Sequence, residues 1–294
     1  MKRIALLAGI LALAACGSFG PNQPHTLSLA YKAGDTYKYR FHSSTRQTVT
    51  FSGQALPTQI DITAKESVKV NSVDASGTAD LSITFSDFTL RSVAAGVTNT
   101  TTGLPSNTTE VKIAADGTIS SIDGSELAAA NPLAGFSGFG GGFFITAVLP
   151  DHPVKPGDTW SKTYDQTPPA TFLTGSTHIT SNSTYLRDET LNGVTAAVVE
   201  TKSSGTIDLS GAPKAAADPT GSVTLKGTFT ADVTTWIDPS GHRVMKSHGT
   251  AHDDGTVDFP RSFEPTGNAT PTPLPILQGP ISASGDSTTD LTPA

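Results

Sequence analysis

The chain has 294 residues, with 19 Lys and Arg against 26 Asp and Glu, a formal net charge of -7 and a single cysteine. An acidic balance without a run of basic residues excludes the electrostatic footprint that nucleic acid requires, and one cysteine excludes both an internal disulfide and a cysteine-based zinc site. Charged residues make up only 15% of the chain while threonine occurs 44 times; ordinary domains carry about 25% charged residues, and β-branched threonine suits a pleated, half-exposed surface, so the composition predicts a mainly β protein.

The N-terminus carries the strongest local signal. Lys2 and Arg3 precede the apolar run Ile4 to Ala15, a basic start and an apolar stretch shorter than the roughly 20 residues of a spanning helix, which is the pattern of an export signal. Leu13-Ala14-Ala15-Cys16 resembles the bacterial lipobox. That resemblance implies cleavage before Cys16, a lipid on its sulfur and an acyl chain on its new amino group. Two or more chains anchor stably where one is marginal. Losing Lys2 and Arg3 takes the charge from -7 to -9 (-7 minus 2), so the anchor is the lipid and not attraction to anionic headgroups. The expected location is the extracytoplasmic side of a bacterial membrane, with residues 1–15 as signal and 16–24 as a short tether.

Residues 25–124 and 150–263 read as two related β units. Lys32-Ala33-Gly34-Asp35-Thr36-Tyr37 is echoed by Lys155-Pro156-Gly157-Asp158-Thr159-Trp160, and Ala115-Asp116-Gly117 by Pro239-Ser240-Gly241. Gly34 to Gly117 spans 83 residues and Gly157 to Gly241 spans 84, a spacing that points to internal duplication. In the Gly-Asp-Thr-aromatic motif, Asp35 and Asp158 are expected to cap turn amides while Tyr37 and Trp160 enter the core. Leu81, Ile83 and Phe85 alternate with polar residues, as do Val223, Leu225, Phe229, Ala231 and Val233, the period-two pattern of antiparallel strands with one face buried. Turns are expected at Asp74 to Gly77, Asp116-Gly117, Asn192-Gly193, Pro239 to Gly241 and Asp254-Gly255, and a bend or bulge at Gly227.

Between the units, residues 125–149 form an apolar, glycine-rich connector. Ser125 to Ala130 could open a short helix, and Phe136, Phe139, Phe143 and Phe144 follow among five glycines. If the two sheets curve into a half-barrel, these rings either fill its concave face as a plug or line it as an apolar ligand site. His242, His248 and His252, with Asp253 and Asp254 beside them, read as surface groups: on a strand, positions 248 and 252 lie about 13 Å apart, too far to share one ion. No nucleophile elbow accompanies them. The last segment, 264–294, holds 6 of the 20 prolines and reads as a disordered tail.

The lipobox, Gly157-Asp158-Thr159-Trp160 and Trp236-Ile237-Asp238-Pro239-Ser240-Gly241-His242-Arg243-Val244 together resemble uncharacterised bacterial lipoproteins that carry a Gly-Asp-Thr-Trp motif. More remotely the chain resembles the LolA-like and LppX-like lipoprotein and lipid carriers. That resemblance implies two curved antiparallel sheets around an apolar cavity. The expectation is therefore a non-enzymatic, membrane-anchored protein without cofactor or metal that binds a lipid or other apolar ligand. The alternative is a scaffold or surface lipoprotein without a small-molecule ligand.

Overall fold

The computed structural model describes residues 24–123, 147–166, 174–211, 223–258 and 280–294. Among these described residues twelve strands make a mainly β protein: β1 (Thr36–Phe51), β2 (Gln54–Val73), β3 (Ala79–Ala94), β4 (Val97–Leu104), β5 (Asn107–Ile113), β6 (Ile119–Asp123), β7 (Thr159–Gln166), β8 (Thr174–Leu191), β9 (Val194–Gly211), β10 (Val223–Asp238), β11 (Arg243–Asp258) and β12 (Ile281–Pro293). They pair antiparallel in one sheet of order β6-β5-β3-β2-β1-β12-β11-β10-β9-β8-β7, with β4 beside β3. β6 comes back near β7, so the sheet curls into a nearly closed half-barrel.

The duplication is visible in the hydrogen bonds. In the first unit, Gly34 N donates to Val70 O at 2.9 Å and Asp35 N to Lys32 O at 3.0 Å, while Val70 N donates to Asp35 O at 3.0 Å. In the second, Gly157 N donates to Tyr185 O at 2.7 Å, Asp158 N to Lys155 O at 3.0 Å, and Tyr185 N to Asp158 O at 3.0 Å. The turn needs a left-handed residue at its glycine, and φ is +92° at Gly34 and +96° at Gly157, a region open to glycine at little cost. β3 pairs β5 through Ala79 to Phe85 and β4 through Phe88 to Ala94. β4 and β5 thus form one strand broken at Pro105, the counterpart of β10, and each unit has five strand positions.

The two units are not separate sheets. They are continuous through β12, which pairs β1 from Ile281 to Pro293 and β11 from Ile281 to Leu291. This corrects the reading of 264–294 as a disordered tail for its described part, 280–294; residues 264–279 lie outside the described residues. Five of its six prolines lie at 265–280, and beyond them Ile281, Ala283, Ser287 and Thr289 are buried while Ser282, Ser284 and Asp286 are exposed, an alternation that makes a half-buried strand. Proline content averaged over the whole segment hid it.

Two further expectations give way. Asp254-Gly255 is not a turn but lies within β11, where Gly255 stands opposite Gly227. At Gly227 the ladder runs without a register shift; the irregularity on β10 comes at Trp236/Ile237. A Cβ on Gly227 would lie 2.4 Å from Asp254 O, so close backbone approach, not a bulge, excludes a side chain there. The tight hairpins are at Ser52-Gly53, Ala95-Gly96 and Asn192-Gly193, each with two positive φ values, the geometry of the favoured two-residue turn. Among the described residues there is no helix. The helix expected at 125–130 lies outside them.

One end of the half-barrel is covered by the extended segments that precede β1 and β7. Leu29 N donates to Ala115 O and Leu149 N to Asp116 O, both at 2.7 Å, Ala30 N to His242 O at 3.0 Å, and His25 and Val154 exchange bonds of 2.7 and 2.9 Å. Leu27, Leu29, Ala147, Leu149 and Val154 thereby enter the main core with Phe41, Leu81, Tyr185 and Ile237. A second apolar cluster, Ile179, Ile207, Leu209, Leu225, Phe229, Val257 and Ile281, occupies the other end of the inner face.

Candidate functional site

The inner face carries a cavity of about 70 Å³ against the main core, where Tyr31 of the N-terminal segment and inward-pointing residues of both units meet. Its walls are mostly apolar, with Phe41, Val68, Leu81 and Ile83 among them, and its polar groups are Glu66, Ser247, Thr289 and the tyrosines. Glu66 sits on β2 directly opposite Tyr39 of β1. The inward phase of β2 is Ala64, Glu66, Val68, Val70, so the pleat drives an acid into an apolar position. Its exposure is 7%. Burial pushes its carboxyl up to about 8, because a charge in a low-dielectric interior loses its hydration.

Tyr39 does not share its hydroxyl proton with Glu66; it donates to Val244 O at 2.7 Å. Tyr37 donates to Asp35 at 3.2 Å. Burial raises Tyr31 and Tyr39 far above the ordinary phenol range, so both stay neutral. No Lys, Arg or His lines the cavity among the described residues. Arg243, whose charge reaches Tyr37 and Tyr39, is paired with Asp238 at 3.5 Å.

Below this level the inner face is a waist of small hydroxyl groups that satisfy one another across strands: Ser183 with Thr201 at 2.9 Å, Ser181 with Ser203 at 2.8 Å and Thr289 to Ser43 at 3.3 Å. Within the far cluster lies Asp253, opposite Phe229 and Gly285. Its Oδ1 is buried with no partner among the described residues, and burial pushes its carboxyl up to about 7. From Leu291 to Ile281 on β12, ten residues at about 3.4 Å each, the inner face runs for about 34 Å.

The sequence does not single out Glu66, and Asp253, which reads with the neighbouring histidines as a surface group, is instead buried on the inner face. The signal was an acid at an apolar-phase position, as in Val70-x-Val68-x-Glu66 and Val257-x-Gly255-x-Asp253-x-Ala251. The predicted site residues Phe136, Phe139, Phe143 and Phe144 lie outside the described residues, as does Cys16. Of the two motif aspartates, Asp158 caps the turn, accepting from Lys155 N at 3.0 Å, whereas Asp35 accepts from the Tyr37 hydroxyl instead. Trp160 packs on the core and donates to Val148 O at 2.8 Å. Between β6 and β7, inward-facing Lys162 of β7 pairs with Asp116 of the β5–β6 turn.

The histidines separate. His242 is within 3.2 Å of Ser28 Oγ and ties the N-terminal segment to the β10–β11 turn. His248 and His252 stand on the outer face with aspartates of β12: His248 with Asp290 at 2.8 Å, and His252 with Asp286 at 2.8 Å and Asp254 at 3.0 Å. Asp290 lies opposite His42 of β1, and Asp286 opposite Arg46.

Fold and interior together define an internally duplicated antiparallel half-barrel with an apolar concave face and two inward acids. The chain is similar in structure to a DUF1329 family protein from Desulfovibrio piger, with 10% identity, 86% of this chain and 85% of that one covered, and a TM-score of 0.17, a likeness too distant to carry function. No protein-family model and no curated protein sequence matches the chain.

Proposed function

We propose that the chain is a non-enzymatic bacterial lipoprotein, anchored through Cys16 on the extracytoplasmic side of a membrane, which holds a lipid or other apolar ligand against the concave face of its half-barrel. The observation that carries this reading is the apolar inner cavity with its uncompensated carboxyl, since a core with no ligand to meet gains nothing from a buried acid. The export-type N-terminus and lipobox support the anchor, and the remote resemblance to lipoprotein and lipid carriers agrees with the curved sheet.

A scaffold without ligand is the second reading. It is favoured by the small volume of the cavity, about 70 Å³, and by the close fit of Leu27, Leu149 and Val154, each at most 2% exposed. Native mass spectrometry and solvent extraction of residues 17–294, expressed for export without Cys16, decide between them. Co-purifying lipid in stoichiometric amount is expected; repeated recovery of lipid-free protein that takes up no added fatty acid or phospholipid would leave the scaffold. Cys16→Ser in the full chain should move the protein from the membrane pellet to the soluble fraction.

A further inference from the structure

We propose that the cavity around Glu66 seats the ammonium end of an amine-bearing amphiphile, with the apolar chain lying along the inner face of the half-barrel. The inference rests on the ligand-binding reading above and names the chemistry of the ligand's polar end.

Three observations converge on an ammonium group. Glu66 is the one acid of the lining and makes no hydrogen bond to any described residue, though its exposure is only 7%. A buried carboxyl without a partner is unfavourable, and an entering cation removes that penalty by pairing with it. Second, no basic side chain lines the cavity among the described residues, so a phosphate or carboxylate end would find no counter-charge there, whereas an amine can draw off the carboxyl's proton and pair, as ammonium, with the carboxylate. Third, the hydroxyls of Tyr31, Ser247 and Thr289 share the lining. An ammonium has three donors and no acceptor, and a carboxylate flanked by hydroxyl oxygens supplies what those donors need. The volume, about 70 Å³, holds an ammonium with its first methylenes and leaves a larger headgroup outside. From there the inner face continues past the hydroxyl waist to the apolar cluster of Leu209, Phe229 and Ile281.

The shared chemistry is a primary ammonium on an apolar chain, which a free long-chain amine and an ethanolamine phospholipid both present. Residues 17–294, expressed without Cys16, are titrated at neutral pH with laurylamine, lauryl alcohol and laurate, matched in chain length, and with dilauroyl phosphatidylethanolamine against dilauroyl phosphatidylglycerol. Binding is read by native mass spectrometry and calorimetry. The amine is expected to bind about 10-fold to 100-fold more tightly than the alcohol, the worth of a hydrogen-bonded charge in such a site. Glu66→Gln should remove that preference while leaving the affinity for the alcohol in place, and Tyr31→Phe should weaken the amine alone by a smaller factor. Preference for phosphatidylethanolamine over phosphatidylglycerol, lost in Glu66→Gln, identifies a lipid headgroup as the source; preference confined to laurylamine identifies a phosphate-free amphiphile. Equal binding of amine and alcohol, or an amine preference that survives Glu66→Gln, overturns the inference while leaving the ligand-binding reading intact. No binding of any of the five probes overturns both.

Discussion

Replacing Glu66 by Gln should stabilise the fold, and by an amount that depends on pH. The folded carboxyl is pushed from the ordinary 4.5 up to about 8 by burial. Below pH 4.5 it is protonated in both folded and unfolded chains and contributes no difference. As pH rises from 4.5 to 8 the unfolded chain gives up this proton while the folded chain keeps it, so the unfolded state gains stability relative to the folded one. Over that gap, at about 1.36 kcal/mol per pH unit, the penalty grows to about 5 kcal/mol and is constant above pH 8. Glutamine keeps the shape without the ionisation. Denaturant unfolding of residues 17–294 and its Glu66→Gln variant, followed by tryptophan fluorescence, should give nearly equal stabilities at pH 4.5 and a variant more stable by as much as about 5 kcal/mol at pH 9. Two curves that stay parallel from pH 4.5 to 9 would refute the argument.

Asp253→Asn should behave in the same sense over a lower window, because its carboxyl is pushed from 3.8 to about 7; the same unfolding series, with the divergence complete by about pH 7, checks it. Gly227→Ala should cost about 1–3 kcal/mol of overpacking, since its Cβ would stand 2.4 Å from Asp254 O, and a denaturation midpoint equal to that of the parent would rule out the close approach. Ending the chain after residue 262 removes β12 and should yield insoluble protein on export, whereas a dispensable tail would leave solubility and the circular dichroism spectrum unchanged. On the outer face, His252 is raised above 6.5 by its hydrogen bonds to Asp286 and then Asp254. A raised histidine stabilises the fold below its unfolded value and loses that contribution as pH climbs through the folded value; His252→Gln should therefore flatten this part of the stability profile near and above pH 6.5, read by thermal unfolding.

The repeat, the β class and most turns were legible in the residues because each rests on a local rule. Gly34 and Gly157 announce a left-handed turn, and Leu81-x-Ile83-x-Phe85 announces a half-buried strand. What could not be read locally was partnership. Nothing between Ile281 and Pro293 states that it joins the first unit to the second, because pairing with β1 is a contact across 230 to 254 residues and pairing with β11 one across 24 to 44. Asp254-Gly255 carries the chemistry of a turn and is held in a strand because Gly227 and Ala283 come opposite Gly255. The inward acids were written in the alternation, yet a single polar residue in an apolar phase looks like noise until the curvature of the sheet shows that both sides of it are buried.

The order of synthesis gives β12 a further meaning. It forms ladders of thirteen residue pairs with β1 and eleven with β11, and it is made after every other described strand. Until it arrives, β1 and β11 present long open edges, the kind of surface that invites pairing with other chains. The ring thus lacks its keystone until residues 281–293 have been made, and a chain that stops short of them leaves both of those edges bare.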